Sequence, residues 1–374
     1  MDNRNTPANT WIDALTTEHV KRLRPYESAR RLFSASTKSG DANSQVWLNA
    51  NEAPVADEFR VNSEVFNRYP DCQPEELISA YASYCGLENR QVITTRGADE
   101  GIELIIRGFC DAGKDSVLIC PPTYGMYAIS AQTFNVGVEK AQLKPDFSLD
   151  LQAIEQYVDK VKVVFLCSPN NPTGTRLSED DVIAVLNMFK NKAVVVLDEA
   201  YIEFDAEHAK TNLLAQFDNL VILRTLSKAF ALAGIRCGFV LSNPIIAKVL
   251  MKVIAPYPVP APVAQIATSA LSESGIAHMR NRVQDLQAGM VFITDALQQH
   301  GEVEIVGDTK ANFVLFRHEA NAELMDYLVD HDMIIRNQSK QISLHNCLRI
   351  TVGSEKENHA LIHLINDFFK RKAA

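Results

Sequence analysis

Short apolar runs alternate with longer amphipathic stretches through most of the first 260 residues. Residues 92–95, 116–120, 161–167, 193–197, 220–223 and 237–241 have the length and composition of buried strands. Between them the apolar positions fall at helical spacing: Leu77, Tyr81 and Tyr84 after Pro74, then Ile102, Ile105, Ile106 and Phe109 after the turn at Gly97, then the segment 178–190. Continuous apolar strands in alternation with helices predict an α/β fold, a mainly parallel sheet covered by helices on both faces. Ligands of such sheets gather where strands end and helices begin.

The pattern changes at APYPVPAPV (255–263), whose four prolines can continue neither a helix nor a central strand. This segment predicts a hinge. Beyond it, a helical region to about 298, strands near 303–306 and 312–316, a helix at 320–330, strands near 333–336 and 347–352 and a terminal helix 355–371 predict a smaller α+β domain. The expected division is 1–55 as an N-terminal arm with part of the small domain, 56–262 as the large domain and 263–374 as the small C-terminal domain. Residues 1–20 are polar without a clear period and predict a loose arm. In NRYPD (67–71), Tyr69 precedes a proline and is held extended.

Four strand ends carry chemistry. In TLSKAFALAGIRCGF (225–239), Lys228 follows an apolar strand, and Arg236 stands between a Gly-containing turn and the next strand. Burial there lowers an amine's pKa and frees it to attack a carbonyl. Thr225, Ser227 and Arg236 supply donors suited to a phosphate beside it, and amine plus phosphate cradle is what pyridoxal 5′-phosphate requires. A surface lysine at the end of an ordinary strand fits this segment equally well. Gly97-Ala98-Asp99-Glu100 opens a helix straight after a strand, either as an anion site or as a plain helix start. SPNNPTG (168–174) puts the Asn171 amide on a rigid turn, which is a simple turn or a ligand contact. Asp198 ends the apolar run of AVVVLDEAYIEF (193–204), where an ionised carboxylate needs a cation partner. A protonated pyridine nitrogen would be that cation, with Tyr201 within reach of the ring's phenolic oxygen. No GxxxxGK[ST] loop accompanies the carboxylates, which argues against a nucleotide–metal site.

Composition narrows the classes. The 374 residues carry a net charge of -9, which argues against nucleic acid and acidic membrane surfaces as partners. Any anionic substrate must then be gripped by local arginines. No apolar run approaches the ~20 residues of a membrane span, and no signal peptide is evident. The seven cysteines form no CxxC pair, which predicts free thiols in a reducing cytoplasm. His359 and His363 lie four apart but lack a third ligand, so they predict a polar helix face and no metal site.

Together NRYPD, RGADEGIELIIR, PPTYGMY, SPNNPTG, DEAYIEF, TLSKAFALAGIRCGF and LRITVG resemble the fold type I pyridoxal-phosphate aminotransferases. RPYESARR, LNANEAP and MKVIAPYPVPAP extend the resemblance to the branch of that family acting on histidinol phosphate, so that it covers residues from about 20 to 353. The resemblance implies that Lys228 holds pyridoxal 5′-phosphate through its amine and shuttles the proton. It implies that Asp198 pairs with the pyridine nitrogen, that Asn171 and Tyr201 bond the phenolic oxygen, and that Tyr124 stacks on the ring. Gly97, Ala98, Asp99, Thr225, Ser227 and Arg236 would form the phosphate site, and Tyr69 would reach the phosphate of the other subunit of a homodimer. Tyr26, Asn171, Arg336 and Arg349 would hold the substrate's anionic end. The implied reaction interconverts L-histidinol phosphate plus 2-oxoglutarate and imidazole-acetol phosphate plus L-glutamate, in histidine biosynthesis. An aromatic amino-acid aminotransferase, a threonine-phosphate decarboxylase, or a non-catalytic regulator that binds the cofactor remain the alternatives.

Overall fold

The computed structural model describes residues 10–23, 25 and 45–373. Its strands in chain order are β1 (Val46–Trp47), β2 (Val92–Thr95), β3 (Ser116–Ile119), β4 (Gly137–Lys140), β5 (Val163–Cys167), β6 (Val194–Asp198), β7 (Leu220–Thr225), β8 (Gly238–Ser242), β9 (Glu304–Ile305), β10 (Phe313–Arg317), β11 (Met333–Ile334), β12 (Arg336–Asn337) and β13 (Cys347–Thr351). Seven of them form the central sheet in the order β2-β8-β7-β6-β5-β3-β4. The five from β3 to β7 run parallel, and β8 is antiparallel to both of its neighbours.

The continuous apolar runs follow from burial on both faces. Alternate side chains of β5, β6 and β7 enter separate cores: Val164, Leu166, Val195, Leu197, Leu220 and Ile222 pack into one, Val163, Phe165, Val194, Val196, Val221 and Leu223 into the other. The register sets Cys167 beside Asp198 and Asp198 beside Leu223. The segments leaving β5, β6 and β7 therefore emerge side by side along one edge, and these are the segments that carry Asn171, Tyr201 and Lys228.

A second sheet, β12-β13-β10-β9, is antiparallel throughout. Strand β1 pairs in parallel with β11, so the chain runs along this smaller unit before residues 49–52 enter the cleft between the two sheets.

The structure departs from the sequence expectations in several places, one being that the expected strand at 333–336 is two strands, β11 and β12, in different sheets. The arm is not loose throughout: Thr10–Leu15 and Glu18–Arg22 are helical, each too short for a period to show. Strand β4 has only partly covered side chains, because it lies at the sheet's edge, and so lacks an apolar run. The helical region after the hinge is two helices, Ala261–Ala270 and Glu273–Gln298. Ser272 caps the second by accepting a hydrogen bond from the Gly275 N–H.

Candidate active site

A cleft of ≈ 520 Å³ opens at the carboxyl edge of β5, β6 and β7 and is walled on its far side by β12 and β13. Its lining includes Ala98, Asp99, Tyr124, Asn171, Asp198, Tyr201, Thr225, Ser227, Lys228, Arg236, Arg336 and Arg349, so most of the residues singled out in the sequence meet in one place.

Lys228 is half-buried, with its Nζ donating to the Ala50 carbonyl at 3.2 Å and lying 5.6 Å from the centre of the Tyr201 ring. Desolvation, reinforced by the Arg349 charge, lowers its pKa to about 8. Asp198 is buried at the end of β6, and desolvation raises its carboxyl to about 6. Two donors oppose that rise and fix the carboxylate plane: the Tyr127 hydroxyl to Oδ2 at 2.6 Å and the Ala200 N–H to Oδ1 at 3.1 Å.

At one end of the cleft lies a cradle for an anion. The helix Ala98–Phe109 points its N-terminus there, Thr225 Oγ1 donates to Ser227 Oγ at 2.8 Å, and Arg236 Nη2 meets Asp99 Oδ2 at 3.3 Å. Gly97, at φ 78°, leaves room for this guanidinium, since a Cβ there would stand 2.8 Å from Arg236 Nη2. Tyr124 donates to the other Asp99 oxygen at 3.0 Å.

At the opposite end are two arginines. Arg336 of β12 and Arg349 of β13 face each other directly in the ladder, a placement that like charges disfavour. Arg349 donates to Asn171 Oδ1 at 2.6 Å and to the Asn49 carbonyl at 2.9 Å. Among the described residues Arg336 has no ion-pair partner, and its buried Nη1 donates to nothing. Two opposed guanidiniums, one without a counter-ion, form a site for an anionic ligand.

One expected residue lies elsewhere, and another is not described. Tyr69 is 82% exposed, stacks on Tyr257 with ring centres 4.7 Å apart, and does not line this cleft. Tyr26 lies outside the described residues.

Three comparisons bear on this geometry. Residues 33–365 match the aminotransferase class I and II family. The chain belongs to that family. It is 54% identical over 363 residues, 97% of each chain, to the histidinol-phosphate aminotransferase of Pseudoalteromonas atlantica. It is 49% identical over 354 residues to that of Yersinia enterocolitica, covering 95% of this chain and 92% of the relative. Among solved structures, the histidinol-phosphate aminotransferase of Clostridium acetobutylicum aligns at a TM-score of 0.78 and 25% identity, over 87% of this chain and 99% of its own. The Sinorhizobium meliloti enzyme, solved with pyridoxal-5′-phosphate, aligns at 0.80 and 21% identity over 94% of this chain and 98% of its own, a likeness of fold.

Within this class I and II aminotransferase, one cleft residue and one buried residue behind the cleft wall escaped the sequence argument. Asn51 donates to Tyr201 Oη at 2.8 Å, beside the 3.3 Å bond from Asn171. It is held by Thr351 at its N–H and by Asn312 at its carbonyl. Its signal was an asparagine before Glu-Ala-Pro, and Asn tolerates the φ of 55° found there. Tyr127 is buried in the first turn of the helix Met126–Thr133, with its ring edge-on to Tyr124 at 5.6 Å and its hydroxyl on Asp198.

The donor set fits an aromatic cofactor that carries a phosphate: an anion cradle at one end, a carboxylate sized for a protonated ring nitrogen, two amides and a phenol around one oxygen position, and a lysine between. In the aminotransferase without its cofactor, Lys228 also makes stability depend on pH. A base whose folded pKa (about 8) lies below its unfolded value (10.5) binds fewer protons in the fold between those limits, so stability rises with pH across that window. The cost of the buried charge is fully present below it. Lys228→Met should therefore be more heat-stable than the wild-type protein near pH 7, with the advantage fading by pH 10. Thermal unfolding of the cofactor-free proteins across that range measures it, and an advantage that stays constant would contradict the shift.

Proposed function

We propose that this chain is a pyridoxal-5′-phosphate-dependent transaminase. It interconverts L-histidinol phosphate plus 2-oxoglutarate and imidazole-acetol phosphate plus L-glutamate in histidine biosynthesis. Near-full-length identity of 49–54% to histidinol-phosphate aminotransferases supports the assignment. The observation that carries it on this chain is the opposed pair Arg336 and Arg349, across the cleft from the anion cradle. One anion site serves the cofactor and a second serves the substrate. Guanidinium forks accept a phosphate or a carboxylate in turn, as two alternating substrates require.

Asp99, Ala98, Gly97, Thr225, Ser227 and Arg236 would hold the cofactor phosphate, Asp198 its ring nitrogen, Asn171 and Tyr201 its phenolic oxygen, and Tyr124 its face. When bound, the cofactor supplies an electron sink for the pair left when the substrate carbon loses its proton. Asp198, kept ionised by the Tyr127 and Ala200 donors, favours the protonated nitrogen. Lys228 is the one lysine among the cleft's described lining residues. Its amine, with a pKa brought near neutrality, is suited to take a proton from the substrate carbon and return it elsewhere. Tyr201, kept in its phenol form by burial, accepts from both asparagines and retains its own proton for donation.

A homodimer with shared sites completes the proposal. Val61, Val65, Phe66, Tyr69 and Tyr257 are all exposed, and an apolar set that includes the stacked Tyr69–Tyr257 pair suits burial against a second copy. Tyr69, turned away from its own cleft, would serve the partner's. The small domain (263–374), with residues 1–55, would move as the closing unit over the large domain (56–262). No described helix is long and apolar enough to cross a membrane, in keeping with a cytoplasmic enzyme.

The test is a half-reaction screen that follows conversion of bound pyridoxal to pyridoxamine with histidinol phosphate, phenylalanine and O-phosphothreonine. Histidinol phosphate should react with the highest kcat/KM. Preference for phenylalanine, or carbon dioxide release from phosphothreonine, would replace the assignment.

A further inference from the structure

The anion end of the cleft holds a donor besides its arginines. Strand β12 continues into Gln338, whose N–H donates to the Cys347 carbonyl at 2.9 Å and so extends the ladder by one residue. Side chains alternate across a strand, which puts Arg336 and Gln338 on one face and Asn337 on the other. Arg336 and Gln338 line the cleft, while Asn337 is exposed and its side-chain Oδ1 accepts from the Ser339 N–H at 2.9 Å. Gln338 is 7% exposed. Its Oε1 accepts from Gln341 Nε2 at 3.0 Å, which leaves its NH2 group turned the other way. Among the described residues that NH2 donates to nothing. The result is a buried, oriented, neutral donor two residues along the strand from the partnerless Arg336.

Resting on the transaminase reading above, we propose that Gln338 is a specificity residue, the donor that separates a phosphate-bearing substrate from a carboxylate in the shared anion site. A carboxylate presents two oxygens and one negative charge, which two guanidinium forks already satisfy. A phosphate monoester presents three terminal oxygens and a charge of about −1.5 to −2 near neutrality, and its third oxygen needs another donor. Neutrality matters here. A third cation would grip the dicarboxylate substrate more tightly as well, whereas an amide adds a hydrogen bond that only the larger anion can use. In this arrangement the Gln341–Gln338 bond occupies the amide oxygen, which would otherwise repel the anion.

The test uses the holoenzyme and the Michaelis constants of both substrates. Gln338→Met keeps the volume and removes the donor. It should raise the KM for histidinol phosphate by about tenfold or more, the range of a hydrogen bond to a charged group, and leave that for 2-oxoglutarate within about twofold. Gln341→Met, at a more accessible position, leaves Gln338 in place but releases its amide, and should shift the same ratio by a smaller factor. It serves if Gln338→Met fails to fold. Equal changes for both substrates, or none for either, would overturn the proposal, because loss of a merely structural residue has no reason to distinguish a phosphate from a carboxylate. Failure of the unsubstituted enzyme to turn over histidinol phosphate would instead count against the function, and inhibition of wild-type protein by inorganic phosphate against acetate would still measure the selectivity of the site.

Discussion

Lys228→Ala protein should keep its cofactor and lose turnover by about three orders of magnitude or more. A positioned general acid–base group contributes roughly 10²–10⁴-fold, and in the proposed role the same amine would also anchor the cofactor covalently. The groups expected to hold the cofactor otherwise, Asp198, Thr225, Ser227 and Arg236, are untouched by the change, and among the described residues no other lysine lines the cleft to take over. Lys228→Arg should not restore activity, because a guanidinium stays protonated at any working pH. The measurement pairs the retained absorbance of bound cofactor with the rate of amino-group transfer to 2-oxoglutarate. Near-normal transfer in the alanine variant would remove Lys228 from the chemistry.

Legibility divided along a physical line. Asp198 and Lys228 could be found in the sequence because each breaks a local rule, an ionisable group at the end of an apolar run, and function is the usual reason for such a break. The core strands β5 to β7 could be found because both faces are buried and every position before Asp198 and Arg224 is apolar. What depends on register could not. That Arg336 stands opposite Arg349 follows from the pairing of β12 with β13, and nothing near either arginine announces it. Asn51 is tied to Thr351, 300 residues away, and its contact with Tyr201 exists only once β1 has paired with β11. Tyr127 was hidden by its neighbour: in PPTYGMY the first tyrosine drew the functional reading, while the second is the one bonded to Asp198. Edge strand β4 and the two short helices of the arm failed for lack of length and burial, the properties that make a period visible.

Asp198→Asn should reduce turnover about 10²- to 10³-fold while the protein folds normally. The asparagine fits the same space, but it changes the site in two ways. The carboxylate receives one donor on each oxygen, the Tyr127 hydroxyl and the Ala200 N–H. An amide has one oxygen, so one of those donors would meet an NH2 group. The larger effect is the loss of charge. Asp198 lies in a low-dielectric interior where an unpaired cation is disfavoured, and breaking a buried ion pair costs about 3–5 kcal/mol. A cofactor nitrogen without its counter-ion favours the neutral form, which accepts electrons poorly, so the barrier to the proposed proton removal by Lys228 would rise by a large part of that amount. The cofactor should also dissociate faster, giving a readout independent of catalysis. Both are measured on one preparation, by single-turnover kinetics with histidinol phosphate and by the loss of bound cofactor on dilution. If turnover changes by less than about threefold and cofactor retention is unaltered, the carboxylate at the end of β6 does not pair with the ring nitrogen, and the electrostatic account of this cleft must be rebuilt without it.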